Sequence, residues 1–109
     1  MTTRLSVSKY PDGRYCLDLI DADEQTQALF ESRELQGGGY TWEGIVRSLI
    51  EMRMPEALPQ FSIGAEADNM HVYCLSRELL EDVAALIRAA IDDQQLMISA
   101  IEHGGEEIE

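Results

Sequence analysis

Residues 70–91 have the sequence MHVYCLSRELLEDVAALIRAAI, and this stretch decides the fold class. In residues 70–75 the side chains alternate between two faces that are both largely apolar, which is typical of a strand in the middle of a sheet. Ser76 is of a residue type that caps helices. The apolar residues of 77–91 then fall within an arc of about 160° when they are placed 100° apart. The stretch therefore predicts a central β-strand followed by a long amphipathic helix.

Upstream, two more alternating runs predict a β-hairpin. Residues 4–10 and 15–20 each alternate along the chain, and Pro11, Asp12 and Gly13 separate them. Proline fixes φ at the first corner of a turn, and glycine accepts a left-handed conformation at a later one. A short strand at residues 61–63 completes a set of four.

Four helices are expected around these strands. The first begins where Asp21 and Glu24 have capping-box spacing, and the second has Thr41 as its cap. The order β-β-α-α-β-β-α-α predicts an α+β fold in which a small antiparallel sheet carries helices mainly on one face. The helices are predicted at about residues 23–34, 42–53, 77–91 and 94–102.

The length predicts one domain. A chain of 109 residues buries roughly 60% of its extended-chain surface, which suffices for one core and leaves no room for a second. We place that domain at residues 1–103. Residues 104–109, with the sequence GGEEIE, are glycine-rich and acidic, so a flexible acidic tail is expected there.

The chain is strongly acidic. It has 21 Asp and Glu residues against 8 Lys and Arg residues, a formal net charge of −13. Residues 55–109 hold 12 of the acidic residues and 2 of the basic ones, which makes −10 for that half. Such a field repels nucleic acid and anionic membranes and favours a partner with a basic surface. The alternative is that the charge serves only solubility.

Residues that could support catalysis are few. Cys16 and Cys74 lie in apolar strand patterns typical of buried residues, and the chain has no CxxC pair. His71 and Cys74 are three residues apart on one strand and therefore face opposite sides. Cys16 could meet His71 only if their strands were neighbours. The acidic clusters lack the ligand pattern of a calcium-binding loop. We therefore predict no catalytic residue, no metal and no cofactor.

The sequence also bears on location. Residues 1–5 lack the apolar segment of a secretory signal. No apolar run reaches the roughly 18–20 residues that span a bilayer. We therefore expect a cytoplasmic protein with reduced thiols.

Three consecutive glycines, Gly37, Gly38 and Gly39, separate the first two predicted helices. They do not form a phosphate-binding loop, because that motif requires a lysine after its last glycine, and a dinucleotide fingerprint follows a strand. We expect a structural role for them, at the entry to the second helix. Trp42 lies on the apolar stripe of that helix, which favours core packing over a role as a binding hot spot.

These glycines begin a longer pattern. Residues 38–43, GGYTWE, are followed by an amphipathic helix, a proline, a short strand, the acidic turn GAEAD at 64–68 and the apolar strand 70–76. In this order the chain resembles the immunity protein 51 family of bacterial polymorphic toxin systems. Gly64 stands where the family pattern has an aspartate, and His71 where it has an aromatic residue.

The resemblance implies a protein that binds and neutralises a cognate toxin and that needs no cofactor. Toxins that act on nucleic acid carry basic clefts, so the negative charge suits a nuclease-type toxin. Acidic residues in exposed turns and an aromatic residue at the edge of a loop are the expected contacts. The candidate partner-binding residues are Glu66, Asp68, Asp21, Asp23 and Tyr40.

Three other roles stay open on the sequence. The chain could be an acidic adaptor or effector chaperone that assists its partner. It could be a small hydrolase-like enzyme that uses Glu66 or Asp68 together with His71 in a polar pocket. It could also form a homodimer through Tyr73 and Leu75 on the exposed face of the sheet.

Overall fold

The structure is a computed structural model that describes residues 4–20 and 23–109. Its elements follow the predicted order β-β-α-α-β-β-α-α. The strands are β1 (Arg4–Lys9), β2 (Tyr15–Ile20), β3 (Ser62–Ala65) and β4 (Asn69–Cys74). The helices are α1 (Glu24–Ser32), α2 (Gly39–Arg53), α3 (Arg77–Asp92) and α4 (Gln94–Gly104).

The four strands form one antiparallel sheet in the order β1-β2-β4-β3. The hairpin predicted near the N-terminus is confirmed: Tyr10 N donates to Arg14 O at 2.7 Å, and Gly13 has a φ of +90° in the turn. The strand predicted to be central, β4, lies between β2 and β3. The predicted α+β fold is therefore confirmed.

The helices pack on one face of this sheet. Leu17 and Leu19 of β2 and Met70 and Val72 of β4 point to that face, and each is at most 2% exposed. Leu17 lies opposite Val72 and Leu19 opposite Met70, so two cross-strand pairs form the floor of the core. The alternate residues of each strand point to the other face, which no described helix covers. We call it the open face.

The helix layer brings the largest buried side chains together. In α2, Trp42, Ile45 and Leu49 follow one another at spacings of three and four residues and are at most 2% exposed. In α3, Leu80 and Ile87 are fully buried. Burial of each such side chain stabilises the fold by roughly 1.5–3 kcal/mol. None of the described helices is long and apolar enough to cross a membrane.

Helix α2 begins three residues earlier than predicted. Gly38 is its N-cap and Gly39 its first residue, so the predicted cap, Thr41, lies inside the first turn. The Thr41 hydroxyl accepts a hydrogen bond from Gly37 N at 2.9 Å and donates one to Glu109 O. The prediction of a cap at Thr41 is wrong, because a neighbouring backbone turn supplies an acceptor at the start of α2.

The C-terminal residues pack against the domain, which differs from the free tail expected at residues 104–109. Helix α4 continues to Gly104, and Gly105, with a φ of +56°, reverses the chain. Ile108 then returns to the domain and is only 6% exposed. It lies over Gly44, where a Cβ would be 2.9 Å from Ile108 Cγ1. Ile108 and the hydrogen bonds that Glu109 O accepts from Gln36 N and the Thr41 hydroxyl together hold the segment against the domain.

Candidate functional site

The glycines before α2 pack directly against the turn between β3 and β4. Gly39 N donates a hydrogen bond to Ala67 O at 3.0 Å. A Cβ on Gly38 would clash with that same oxygen, and a Cβ on Gly39 would clash with the carbonyl oxygens of Glu66 and Asn69. Only a residue without a side chain fits so close to another backbone. The glycines therefore fix this turn to the start of α2.

The first glycine of the three, Gly37, turns the chain into this contact. Its φ of +84° lies in the left-handed region that favours glycine. Gln27 Nε2 of α1 donates to Gly37 O at 3.2 Å, and a Cβ on Gly37 would clash with the same side chain. Helix α1 is thus tied to the same part of the fold.

The sheet register brings the candidate residues to one end of the molecule. Ile20, the last residue of β2, lies opposite Asn69, the first residue of β4. The start of α1, the turn between β3 and β4 and the start of α2 therefore meet at this end of the sheet. We call it the acidic end, formed by Asp23, Tyr40, Glu66 and Asp68.

Glu66 and Asp68 are exposed residues of the turn between β3 and β4. Within residues 4–20 and 23–109, neither carboxylate takes part in an ion pair or a side-chain hydrogen bond. The main chain holds the turn, since Glu66 N donates to Asn69 O at 2.9 Å. No described residue therefore neutralises either carboxylate, and a main-chain hydrogen bond holds the turn that carries them.

The other acidic candidates differ from these two. Asp23 is the N-cap of α1, and its Oδ1 accepts a hydrogen bond from Thr26 N at 2.7 Å. A cap of this kind stabilises a helix by about 1 kcal/mol. Asp23 directly precedes the first helical residue, Glu24, whereas the capping box predicted at Asp21 and Glu24 involves a residue that the structure does not describe. Asp21 lies outside the described residues.

The two aromatic residues of the GGYTWE block point in opposite directions. Tyr40 is 44% exposed at the acidic end. Trp42 is 2% exposed, and its ring meets that of Phe30 edge to face at a centroid distance of 5.4 Å. The structure therefore leaves Tyr40 exposed and places Trp42 in the core.

The open face carries an aromatic cluster that the sequence did not single out. Tyr73 is at its centre, with the ring centroid of Tyr10 at 5.6 Å and that of His71 at 5.2 Å. Arg14 Cζ lies 4.8 Å from the centroid of the Tyr73 ring. The alternation within each strand predicts which face these residues share. The order of the strands, which no local pattern encodes, makes them neighbours.

The two positions that depart from the family pattern are partners in the sheet. Gly64 of β3 lies opposite His71 of β4. A Cβ on Gly64 would be 2.7 Å from His71 Nε2, so the imidazole occupies the space that a side chain at residue 64 would need. The absence of a side chain at residue 64 therefore leaves room for the imidazole of His71.

The family comparison spans nearly all of these features. Residues 5–106 match the family model for immunity protein 51. The chain belongs to the immunity protein 51 family. The match includes the hairpin, the glycines, the acidic turn and the last two helices. A search of curated proteins and a search of solved structures each found no match.

The immunity protein does place a thiol and an imidazole on the same face. Strands β2 and β4 are neighbours, and Cys16 lies opposite Tyr73, so His71 is its diagonal neighbour. The side chains that act on the Cys16 thiol are those of Asp18, Tyr10 and Tyr73, and His71 is not among them. Cys16 is fully buried, and burial, with the charge of Asp18 as a smaller cause, raises the pKa of its thiol. A buried, protonated thiol is poorly suited to nucleophilic attack.

Three cavities lie on the helix side of the immunity protein. One of about 480 Å³ separates α1 from the junction of α3 and α4, one of about 660 Å³ lies beside Arg33, and one of about 360 Å³ lies between β1 and α3. No histidine or cysteine lines any of them. In the described part of the chain, no group of three or more His, Cys, Asp or Glu residues is arranged to hold a metal ion. None of the three is the polar pocket around His71 that a hydrolase would need.

Tyr10, on the open face, should lose its proton at a higher pH than a free tyrosine does. The hydrogen bond with the Tyr73 side chain, followed by the neighbouring Cys16, raises the pKa of Tyr10 from 10.0 to about 12. Because the folded pKa exceeds the unfolded one, the contribution of Tyr10 to stability is complete below pH 10 and is lost as the pH rises to about 12. Absorbance titration should therefore show one of the four tyrosines ionising about two pH units late.

Two variants check this assignment. Tyr10→Phe should abolish the late step, whereas Tyr40→Phe, at the acidic end, should leave it in place. A late step that persists in Tyr10→Phe would assign the shift to a different tyrosine.

Proposed function

We propose that this immunity protein binds the toxin domain of its own polymorphic toxin system through the acidic end and neutralises it. It does so in the cytoplasm, by binding alone, without catalysis, metal or cofactor. Glu66 and Asp68 carry the proposal: both are exposed, and neither has an ion-pair partner in the described part of the chain. Charges of this kind are free to pair with basic groups of another protein.

The fixed backbone beneath these charges supports the proposal. The contact of Gly38 and Gly39 with the turn leaves the carboxylates little main-chain freedom to lose when a partner binds. Ordering that is already present in the free protein reduces the entropic cost of association. Tyr40, exposed beside the turn, adds an aromatic contact of the type that is enriched at binding hot spots.

The charge of the whole chain supports a basic partner. A protein of net charge −13 attracts a positively charged cleft over a distance set by the ionic strength. Such steering raises association rates by about 10–10³-fold. A nuclease-type toxin has the matching cleft, because it must hold a phosphate backbone. Nucleic acid itself and anionic membranes are not expected partners.

Co-expression tests the function. A candidate toxin domain, sought among the genes that neighbour the one for this chain, is expressed in a bacterial host, alone and together with the immunity protein. We expect growth to stop in the first case and to continue in the second. If the cells stay arrested, or if the chain only increases secretion of the toxin as an adaptor would, neutralisation is wrong.

Charge removal tests the surface. We expect Glu66→Gln/Asp68→Asn to slow association with the purified toxin roughly 10-fold at low salt, and less at physiological ionic strength. The matched control, Glu78→Gln/Asp82→Asn, removes the same charge from exposed sites on α3, which begins at the opposite end of β4. The surface assignment fails if both double variants slow association equally.

A further inference from the structure

One edge of the sheet has main-chain groups without a strand partner. The bond from Tyr10 N to Arg14 O marks these two residues as a hydrogen-bonded pair of the hairpin. Because such pairs alternate along an antiparallel ladder, Ser8 and Ser6 also direct their N–H and C=O groups toward β2. The residues between them direct theirs away from β2, to the outer edge of β1. These residues are Leu5, Val7 and Lys9.

Nothing in the described part of the chain covers that edge. β1 is the terminal strand of the sheet, and no hydrogen bond from residues 4–20 or 23–109 reaches its outer side. A row of free N–H and C=O groups is the template on which an extended peptide adds as a further strand.

A groove lies beside this edge on the helix side of the sheet. It has a volume of about 360 Å³ and separates β1 from α3. Leu5 and Val7 are only half-buried because they face this groove. Apolar side chains of β1 and β2 form its floor, and α3 adds one acidic and one basic side chain to its wall. The residues that line it are Leu5, Val7, Leu17, Glu81, Ala84 and Arg88.

We infer that β1 is a strand-addition site for the toxin, where an extended toxin segment pairs with the outer edge of Leu5, Val7 and Lys9. The toxin residue opposite Val7 points to the same face as Val7, into the groove, because paired residues share a face. That side chain lies between the apolar floor of the groove and the charged side chains of Glu81 and Arg88 on α3. This inference rests on the proposed function and names the contacts that hold the complex together.

The position of β1 supports the toxin as the occupant. Arg4 of β1 lies opposite Ile20, which lies opposite Asn69, so β1 begins two strand spacings, about 10 Å, from the end of the acidic turn. A basic protein docked on the acidic end therefore lies within about two strand spacings of the start of this edge. A second copy of the chain is disfavoured, because each copy carries a net charge of −13.

Amide hydrogen exchange tests the inference without any substitution. In the free protein the outward amides of Leu5, Val7 and Lys9 should exchange quickly, and those of Ser6 and Ser8 slowly. In the complex purified after co-expression with the toxin, the three outward amides should slow by roughly 100-fold. Strand addition thus predicts that fast and slow amide exchange alternate along β1 in the free protein. In the complex this alternation should disappear.

Proline substitution provides the matched pair of variants. Val7→Pro removes an outward N–H from an edge strand, where proline is tolerated, and should weaken toxin binding at least roughly tenfold. Ile63→Pro is the control on the opposite edge: the bond from Glu66 N to Asn69 O places Ile63 between hydrogen-bonded pairs of β3, so its N–H also points outward. It should leave the affinity unchanged. Circular dichroism and thermal unfolding establish that both variants fold.

The outcomes separate the two proposals. Rescue of growth together with unchanged exchange at Leu5, Val7 and Lys9 would overturn strand addition and leave neutralisation standing. Outward amides that are already protected in the free protein, in a concentration-dependent way, would assign the edge to a second copy. If the toxin neither binds nor is neutralised, both proposals are wrong.

Discussion

Replacement of Gly39 by alanine should destabilise the folded domain by about 2–4 kcal/mol. The added Cβ would clash with the carbonyl oxygens of Glu66 and Asn69, which belong to a backbone turn and cannot rotate away. Overpacking of this kind costs about 1–3 kcal/mol, and weakening of the hydrogen bond from Gly39 N to Ala67 O adds about 1 kcal/mol. The total stability of a domain of this size is about 5–15 kcal/mol. The loss is therefore a large share of it.

Urea unfolding followed by the fluorescence of the single tryptophan measures the effect. The control is Gly44→Ala, five residues further along the same helix. There the nearest atom to a new Cβ is Ile108 Cγ1 at 2.9 Å, on a side chain near the C-terminus that can shift. The gain in helix propensity of about 1 kcal/mol offsets that contact. Gly44→Ala should therefore stay within about 1 kcal/mol of the wild-type stability.

The comparison of Gly39→Ala with Gly44→Ala tests whether the GGYTWE block holds the acidic turn in place. Equal effects would mean that the losses reflect helix propensity and small strains, and that the contact with the acidic turn is unimportant. A large loss at Gly39 alone would show that the GGYTWE block and the acidic turn form one structural unit. The block then contributes to recognition indirectly, because it determines where Glu66 and Asp68 stand.

Local signals were sufficient for most of the fold. The Pro11-Asp12-Gly13 turn predicted the hairpin, and the apolar faces of residues 70–75 predicted a central strand, since turn chemistry and side-chain period are local properties. The start of α2 was predicted incorrectly at Trp42, with Thr41 as its cap. A side-chain cap is recognisable in sequence, but a carbonyl supplied by a turn some 28 residues away, Ala67, is not.

The positions of the candidate surfaces were harder to predict from the sequence than the fold. The sequence identifies the acidic residues in the turns. That they meet at one end of the molecule depends on the register between Ile20 and Asn69. The cluster around Tyr73 depends on β2 being the neighbour of β4. The fold of Ile108 onto Gly44 depends on a missing side chain in another helix. Each of these is a long-range fact that composition and periodicity do not determine.

Removal of the Trp42 side chain should have the largest effect of any single substitution considered. Trp42→Ala should cost about 3–5 kcal/mol, because the indole is 2% exposed and its space cannot be refilled by neighbours held in helices and strands. It also removes the ring against which Phe30 packs. Phe30 and Thr26 are the buried residues of α1, so the helix would lose its main anchor. Amides of α1 should then exchange faster than those of α3.

Trp42→Phe separates packing from hydrogen bonding. The indole Nε1 has no partner in the described part of the chain, and a buried unsatisfied donor costs about 1–3 kcal/mol. Phenylalanine removes that donor and keeps an aromatic ring against Phe30, so this variant should lose less than about 2 kcal/mol. Circular dichroism in urea measures both variants, since neither retains a tryptophan. Equal losses for alanine and phenylalanine would contradict the packing argument.

The same pair of variants decides whether Trp42 takes part in recognition. If its role is confined to the core, folded Trp42→Phe should associate with the toxin at the wild-type rate, because Tyr40, Glu66 and Asp68 keep their positions. A slower rate in a variant of normal stability would place Trp42 in the interface and contradict its burial. The expected result assigns Trp42 to the interior of the domain and leaves Tyr40 as the exposed aromatic residue of the GGYTWE block.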